Sequence, residues 1–411
     1  MQTVYLLGAG ASHDAGLPMS LGLADKIGEY IANKEVVQPS PYDYEPKVSV
    51  MTQAYYATRA LLQAGDVYAG RPPTGGMDIE RIFSAAQALA TLDEAELAPF
   101  VQQWREPFQL QPDPMEWKYF ISSIQEYDPD PERSHHLGGL LRPPVPNLQG
   151  VYRQLCTEIC ETLPRVLTAE QPECHRYLLP MLEANDTNHI ATLNYDLGVE
   201  TAAQLGELSV DTGITKWRGG LRWRWDLDNP DVKLLKLHGS LNWGRPYGEG
   251  GYLAQGTPRI TTEGSEDYDL QYVPHGLEVQ PPGLIFGVRN KLRPDGPFMA
   301  MLHEFWCWLE RAERLVVIGY SFRDEHINNL IQDWITLRPG STLEIVDPST
   351  PESWFECTYA TPSFVRWALQ FHYREARGCP EHPLEWIYVK PQFKFHRHGA
   401  AAWLKGLSLP H

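Results

Sequence analysis

The amino-acid sequence predicts an α/β protein with a doubly wound, mostly parallel sheet and a large inserted helical module. Short β-rich apolar runs alternate with amphipathic helices in residues 1–34 and again in residues 186–350, which is typical of a sheet covered by helices on both faces. Between these two parts the pattern is helical throughout. Residues 351–411 are aromatic-rich, and we expect a C-terminal extension that serves assembly or contact with a partner.

The chain opens with a strand, a glycine loop and a helix. The apolar run Thr3–Leu7 is typical of a buried strand and leads directly into the loop Gly8–Ser12. A helix with Ser20 as its N-cap follows, predicted from apolar residues at helical spacing: Leu21, Leu23, Ala24, Ile27 and Ile31. This order of elements is typical of the first unit of a nucleotide-binding α/β domain.

The inserted module, residues 35–185, shows six helical patterns separated by proline-rich connectors. They cover roughly residues 52–68, 78–90, 93–104, 115–125, 149–167 and 173–184. The α/β alternation then resumes. It predicts strands at 189–193, 233–237, 284–287, 314–318 and 343–346, with helices at 197–205, 298–312 and 324–336.

Composition and charge exclude several classes of protein. With 411 residues, 43 % of them hydrophobic, the chain is a folded protein of about two to three domains. Its net charge of −17 argues against direct contact with nucleic acid or acidic membranes. No stretch is long enough for a membrane span, and no basic residue precedes Lys26 as a secretory signal requires. Six cysteines without a compact framework or a C-x-x-C pair indicate a cytoplasmic protein without a metal.

Four predicted strands end in small, polar motifs: Gly8–Ser12, Asn194–Asp196, His238–Ser240 and Gly319–Ser321. The carboxyl ends of parallel strands lie at one edge of a sheet, where ligands bind. The four motifs therefore predict one shared site.

The glycine loop by itself allows two interpretations. Its backbone could approach a pyrophosphate closely at a helix start, or it could simply form a tight strand-to-helix turn. His13 stands where the third glycine of G-x-G-x-x-G would fall, which disfavours an ordinary hydride-transfer dehydrogenase.

Taken in order, and together with Ala15–Pro18, these motifs resemble those of the sirtuin family. They are most similar to the sirtuin-like NAD hydrolases of bacterial anti-phage defence, and the most specific stretch is Gly319–Asn328 (GYSFRDEHIN). The resemblance covers roughly residues 1–34 and 186–348 and implies a Rossmann-like NAD-binding domain. Asn194 and His238 would be the catalytic residues beside the nicotinamide ribose, where His238 accepts a proton and Asn194 both donates and accepts hydrogen bonds.

The resemblance also implies the remaining contacts to NAD, which would be the substrate. Asp196 would touch ribose hydroxyls or position Asn194. The pyrophosphate would be lined by Gly8, Ala9, Gly10 and Ser12, and the adenosine half would face Gly319 and Ser321.

Two departures distinguish this chain from protein-deacylating sirtuins. Met19, Ser20 and Leu21 stand where those enzymes carry Asp-Phe-Arg, and their zinc module of two C-x-x-C pairs is absent from the sequence. We therefore expect an NAD+ glycohydrolase that forms nicotinamide and ADP-ribose. The alternatives are an NAD-dependent protein deacylase and a non-catalytic subunit that binds NAD, ADP-ribose or nucleic acid within a defence complex.

Each candidate residue also has a purely structural interpretation. His238 could be a satisfied core histidine, Asn194 an Asx-turn residue and Asp196 a helix N-cap. The segment Asp78–Phe83 could place an acid over the site or begin a solvated helix, and Ser321 and Asp324 could cap the helix at 324–336.

Two basic segments raise the question of a nucleic-acid partner. Arginine and tryptophan alternate over residues 217–225, as in single-strand grooves, but Gly219 and Gly220 favour a hairpin. The run Lys394–His398 is typical of a surface strand or a partner contact. Because an unrestrained NAD hydrolase would drain its own cell, we expect control by a separate activator. The resemblance implies a HerA-type ATPase or a short Argonaute as that activator, and a homo-oligomer as the assembly.

Overall fold

The computed structural model describes residues 2–34, 49–70, 77–90, 148–184, 189–217, 220–244, 261–262, 297–349, 376–378, 385–388 and 393–407. Their strands are β1 (Thr3–Leu7), β2 (His189–Thr192), β3 (Val210–Asp211), β4 (Val232–Lys236), β5 (Trp243–Gly244), β6 (Thr261–Thr262), β7 (Arg314–Ile318), β8 (Thr342–Val346), β9 (Ala376–Gly378), β10 (Glu385–Tyr388) and β11 (Phe393–His396). The α-helices are α1 (Ser20–Lys34), α2 (Val50–Tyr68), α3 (Ile79–Ala90), α4 (Leu148–Val166), α5 (Leu179–Leu182), α6 (Gly198–Leu205), α7 (Phe298–Arg311), α8 (Glu325–Leu337) and α9 (Ala400–Leu407).

Nine of these strands form one sheet, in the order β3-β4-β2-β1-β7-β8-β11-β10-β9. The seven from β3 to β11 pair in parallel, while β10 and β9 pair antiparallel at one edge. The predicted doubly wound, mostly parallel α/β sheet is confirmed.

Helices cover both faces of this sheet, because the strands are apolar on both sides. Along β1, Val4 and Leu6 pack into a core that contains side chains of α7 and α8. Tyr5 and Leu7 point to the opposite face and pack with side chains of α5, α6 and α9. This alternation follows from the two-residue period of a strand and explains why β1 reads as an unbroken apolar run.

Helices α2, α3 and α4 of the helical module share a second core with α1 of the sheet domain. Gly28 allows α2 to approach α1 closely, since a Cβ there would lie 2.7 Å from the Tyr55 ring. The Tyr55 hydroxyl in turn donates to the Ala24 carbonyl of α1 at 2.5 Å. Tyr195, which follows β2, is buried in this same cluster, so the helical module lies against the edge of the sheet where the predicted site was expected.

Most predicted elements agree with the observed ones to within two residues. The predicted helix 173–184 is instead a 3₁₀ helix, Pro172–Leu178, followed by the short α5, and its Leu178 and Met181 pack against the sheet. The predicted helices at 93–104 and 115–125 and the predicted strand at 284–287 lie outside the described residues.

Residues 393–407, in the predicted C-terminal extension, are part of the sheet domain. Strand β11 pairs in parallel with β8, and Phe393 and Phe395 are buried, so this strand is not the surface strand that the basic run predicted. A buried ionic cluster joins it to its neighbours: Glu344 lies 2.9 Å from Arg314 and 3.0 Å from His396. Burial alone would raise the pKa of Glu344. Hydrogen bonds with His396 and Arg314 nevertheless hold this pKa well below its usual range.

The tryptophan-rich segment belongs to the core. Residues 220–231 contain no strand, so the predicted hairpin is not found in the part of this segment that the structure describes. Trp217 and Trp223 are buried instead, and Trp225 stacks on Trp308 with ring centroids 5.6 Å apart. In the described ranges, no helix is both long and apolar enough to cross a bilayer.

Candidate functional site

The four strand ends singled out in the sequence meet at one edge of the sheet. Strands β4, β2, β1 and β7 are consecutive neighbours. Leu7 pairs with both Thr192 and Ile318, and Thr192 pairs with Lys236. Asn194 and His238 each lie two residues beyond the last of these pairs, so the register brings them out at matching levels on neighbouring strands.

The glycine loop is held by a close crossing with the turn after β7. The Gly10 amide donates to the Gly319 carbonyl at 2.9 Å. A Cβ at Gly8 would lie 2.6 Å from that carbonyl oxygen, and a Cβ at Gly319 would lie 2.3 Å from the amide nitrogen of Ala11. Gly319 also has a φ of +63°, a left-handed conformation that favours glycine. The crossing itself therefore requires the glycines. Ala9 between them is exposed and begins a 3₁₀ helix, Ala9–Ala15.

Asn194 is anchored to this loop through its side-chain amide. The Nδ2 group donates to the Gly8 carbonyl at 2.9 Å and to the Ser12 hydroxyl at 3.0 Å. These two bonds use both N–H donors of the carboxamide, so its Oδ1 is left in the role of acceptor. The sequence predicted that Asn194 both donates and accepts hydrogen bonds at a ligand. In the structure, only its accepting oxygen is left for that role.

Asp196 holds Asn194 in place indirectly, through Ser12. Its two carboxylate oxygens accept from the Ser12 hydroxyl at 2.8 Å and from the Gly198 amide at 2.9 Å. The Asp196 carbonyl accepts at 2.6 Å from Lys236, whose side chain is fully buried and also lies 2.9 Å from Glu200. Of the two roles expected for Asp196, the hydrogen bonds favour the positioning of Asn194 through Ser12.

His238 is paired with a buried carboxylate. Its Nε2 lies 2.9 Å from Oδ2 of Asp324, and the two side chains are only 7 % and 4 % exposed. The other oxygen of Asp324 accepts from the amides of His326 and Ile327 at 3.0 and 3.4 Å, and so caps α8. The predicted cap is therefore present, but the same side chain also binds the imidazole.

The turn between β7 and α8 is fixed by a second hydrogen-bond network. The Tyr320 hydroxyl accepts from the Asp324 amide at 3.1 Å and contacts the Asn328 amide oxygen at 3.0 Å. Asn328 donates to the Phe322 carbonyl at 2.7 Å. Phe322 is fully buried although its φ is +54°, a conformation that costs a non-glycine residue about 1–2 kcal/mol. The network and the burial of this ring hold the turn in place.

The helical module contributes acids to the same edge. Oδ2 of Asp78, just before α3, lies 3.0 Å from Arg323. The Tyr195 hydroxyl donates to Glu80 at 3.3 Å. Burial, reinforced by Glu80, raises the pKa of Tyr195 well above its usual range, so the phenol keeps its proton. Asp78 and Glu80, at the start of α3, thus lie next to residues that follow β2 and β7, as expected if the module places an acid over the site.

The remaining predicted residues are more exposed. Ser321 lies on the solvent side of the turn, next to the buried Phe322, and Gly10 is half-buried. Sequence reasoning missed Asp324 as a partner of His238 and gave Tyr195 no separate role, whereas Glu80 belongs to the acidic segment that it placed over the site. The only signal for Asp324 was its place before a helix, which predicts a cap but no second contact. Within the described ranges, we find no group of three or more His, Cys, Asp or Glu side chains that could hold a metal ion.

Comparison with known proteins adds a domain assignment. Residues 188–352 match a family model described as a SIR2-like domain. This range contains Asn194, His238 and the turn that carries Asp324. A comparison with curated proteins gives no match.

Solved structures of Sir2 homologues are similar to this chain at low identity. One, a Sir2 homologue in complex with NAD, is 12 % identical, with 99 % of this chain and 87 % of that chain covered at a TM-score of 0.38. Another, a mutant Sir2 homologue in complex with 2'-O-acetyl ADP ribose, is 13 % identical, with 99 % and 94 % covered at a TM-score of 0.37.

Proposed function

We propose that this protein is an NAD+ glycohydrolase, which cleaves the bond between nicotinamide and ribose in NAD+ to give nicotinamide and ADP-ribose. One observation carries the proposal: a hydrogen-bonded Asn194, held by the glycine loop, lies at the level of a carboxylate-paired His238 on the neighbouring strand. The match of residues 188–352 to a SIR2-like domain supports the choice of NAD+ as substrate.

Cleavage of the bond between nicotinamide and ribose needs little acid catalysis from the protein. The nicotinamide nitrogen of NAD+ is cationic and departs as a neutral base, so the ribose carbon develops positive charge in an oxocarbenium-like transition state. A water molecule must then add to that carbon and lose a proton. The site therefore needs a proton acceptor and groups that orient water and ribose hydroxyls.

His238 is suited to be the proton acceptor. With its Nε2–H bonded to the carboxylate of Asp324, the lone pair is on Nδ1, which can take the proton from water or from a ribose hydroxyl. The imidazolium that forms is stabilised by the carboxylate at 2.9 Å.

Asn194 is suited to orient a hydroxyl group or the water. Because both of its N–H donors are bonded to Gly8 and Ser12, its Oδ1 accepts a hydrogen bond from a direction that the protein has already fixed. Such preorganisation lowers the reorganisation needed as charge develops. Ser12 binds this amide and is itself held by Asp196. The exposed Ala9 belongs to the segment proposed to approach the pyrophosphate.

The test is an assay of the full chain with NAD+, in which nicotinamide and ADP-ribose are measured by chromatography. With the activator proposed below present, we expect both products from the wild type and at least about a 100-fold lower rate for His238→Ala and Asn194→Ala. A proton-transfer group and a preorganised hydrogen-bonding group each typically contribute this much. The matched controls are His303→Ala and Asn329→Ala, both at exposed helix positions. Equal rates for His238→Ala and the wild type would refute the proposal.

Adding an acetylated peptide to the same assay addresses the deacylase alternative. A deacylase releases nicotinamide only when the peptide is present, whereas a glycohydrolase releases it without one. Tight binding of NAD+ with no product under any condition would favour the non-catalytic binding subunit.

We further propose that the NADase acts in prokaryotic anti-phage defence by depleting NAD+, as an oligomer released from restraint by a separate activator. The support is the resemblance of Gly319–Asn328 to that branch of sirtuin-like proteins and the need to restrain such an activity. In cells that express the wild type, NAD+ should fall after phage infection, and in cells that express His238→Ala it should not. Depletion before infection, or by purified protein alone at cellular NAD+ concentrations, would contradict the role of an activator.

A further inference from the structure

We infer that Asp324 is the positioning residue for His238 and fixes the imidazole in the tautomer that carries its proton on Nε2. The kinetic consequence of this inference rests on the proposed glycohydrolase function, whereas the tautomer itself does not. Asp324 lies 86 residues beyond His238 in the chain, at the start of α8.

The geometry of the pair sets the direction of the hydrogen bond. A carboxylate only accepts hydrogen bonds, so Oδ2 of Asp324 at 2.9 Å from Nε2 requires the proton to be on that nitrogen. The lone pair of a neutral ring is then on Nδ1. Both side chains are almost entirely buried, so water competes little for the bond.

Asp324 is itself held in one orientation. Its Oδ1 accepts from the amides of His326 and Ile327, and its own amide donates to the Tyr320 hydroxyl. The N-terminus of α8 stabilises the negative charge of the carboxylate. Rotation of the carboxylate away from His238 would break the cap, so the cap and the contact to the imidazole stabilise each other.

A helix cap alone does not require this arrangement. Capping uses one oxygen of Asp324, and serine, threonine or asparagine would serve as well. The second oxygen is aimed at His238, whose ring also packs against Tyr195 with centroids 6.4 Å apart. A positioning role explains why a carboxylate, with two equivalent acceptors, stands at this N-cap.

The test variant is Asp324→Asn, which keeps the size of the side chain and its capacity to cap α8. With the amide oxygen bonded to the helix amides, the side-chain NH2 group faces Nε2 of His238. Nε2 must then accept, and the proton moves to Nδ1. Asp14→Asn is the control, because Asp14 also caps a helix by accepting from the Ala401 amide at 2.7 Å.

The first readout is the tautomer, measured by 15N NMR of histidine-labelled protein, with His238 assigned from the spectrum of His238→Ala. We expect the Nε2–H form in the wild type and in Asp14→Asn, and the Nδ1–H form in Asp324→Asn. A wild-type ring that lacks a proton on Nε2, or an unchanged tautomer in a folded Asp324→Asn, would overturn the inference. If the variant does not fold, the wild-type spectrum still decides whether the proton is on Nε2, and a ring without it would overturn the inference.

The second readout is nicotinamide release. We expect kcat to fall by about 10²–10⁴-fold in Asp324→Asn, the contribution typical of a positioned proton-transfer group, with little change in KM. An unchanged kcat, or a rise in KM alone, would remove the positioning role. If the wild type forms no nicotinamide even with the activator present, although its His238 carries the Nε2 proton, the proposed function fails while the tautomer assignment stands.

Discussion

The crossing of the glycine loop with the turn after β7 makes Gly319→Ala the most direct test of how this site is built. Gly319 has a φ of +63°, and an alanine Cβ there would lie 2.3 Å from both the Ala11 nitrogen and the Gly10 carbonyl carbon. The left-handed conformation costs alanine about 1–2 kcal/mol. The contacts are with backbone atoms, so no rotamer change can relieve them, and overpacking of this kind costs about 1–3 kcal/mol more.

The sum predicts that Gly319→Ala lowers the free energy of unfolding by about 2–5 kcal/mol, measured from the midpoint and slope of urea denaturation. The matched control is Gly16→Ala. Gly16 has a φ of +83°, but a Cβ there would meet no atom within 4 Å, so this variant isolates the conformational cost. If both variants lose the same stability, the close crossing contributes nothing and the reasoning is wrong. Because Gly319 begins the turn that carries Asp324, nicotinamide release should also fall in Gly319→Ala alone.

Two further predictions concern titratable side chains on strands of the sheet. Lys236→Met removes the cation bonded to the Asp196 carbonyl and should lower the free energy of unfolding, measured by urea denaturation, by about 3 kcal/mol. The control Lys233→Met, on the same strand but partly exposed, should change that free energy by under about 1 kcal/mol. Equal losses in the two variants would contradict this prediction. Burial, helped by the positive charges of Lys233 and Arg311, lowers the pKa of His189 from 6.5 to about 4. The unfolded chain therefore binds a proton that the folded protein does not, and stability should fall as the pH falls from 6.5 to 4. His189→Phe should remove about 1–2 kcal/mol of that loss, a value reduced for screening because His189 is partly exposed, and superimposable pH profiles of the two proteins would refute it.

Local sequence patterns predicted much of the fold correctly. Apolar runs such as Thr3–Leu7 and Arg314–Ile318 identified strands that are buried on both faces, and helical spacing identified α7 and α8 almost to the residue. These patterns succeed because side-chain direction repeats every two residues in a strand and about every 3.6 residues in a helix, so the spacing of apolar residues shows which element buries them. They failed where proline and aromatic residues leave no periodicity, as in the 3₁₀ helix at Pro172–Leu178 and the segment 220–231.

The candidate site was likewise predictable only in part from local sequence. The sequence alone determined that small polar motifs follow four parallel strands, and hence that Asn194 and His238 belong to one edge of the sheet, because parallel strands in one sheet share a direction. Only the tertiary structure decided which groups bond to which. The partner of Asn194 in the loop, Ser12, is 182 residues away in the chain, and the carboxylate at His238 comes from a residue that its local sequence marks only as a helix cap. Hydrogen bonds depend on positions to within a few tenths of an ångström, and such positions arise from the packing of distant segments, which no local period encodes.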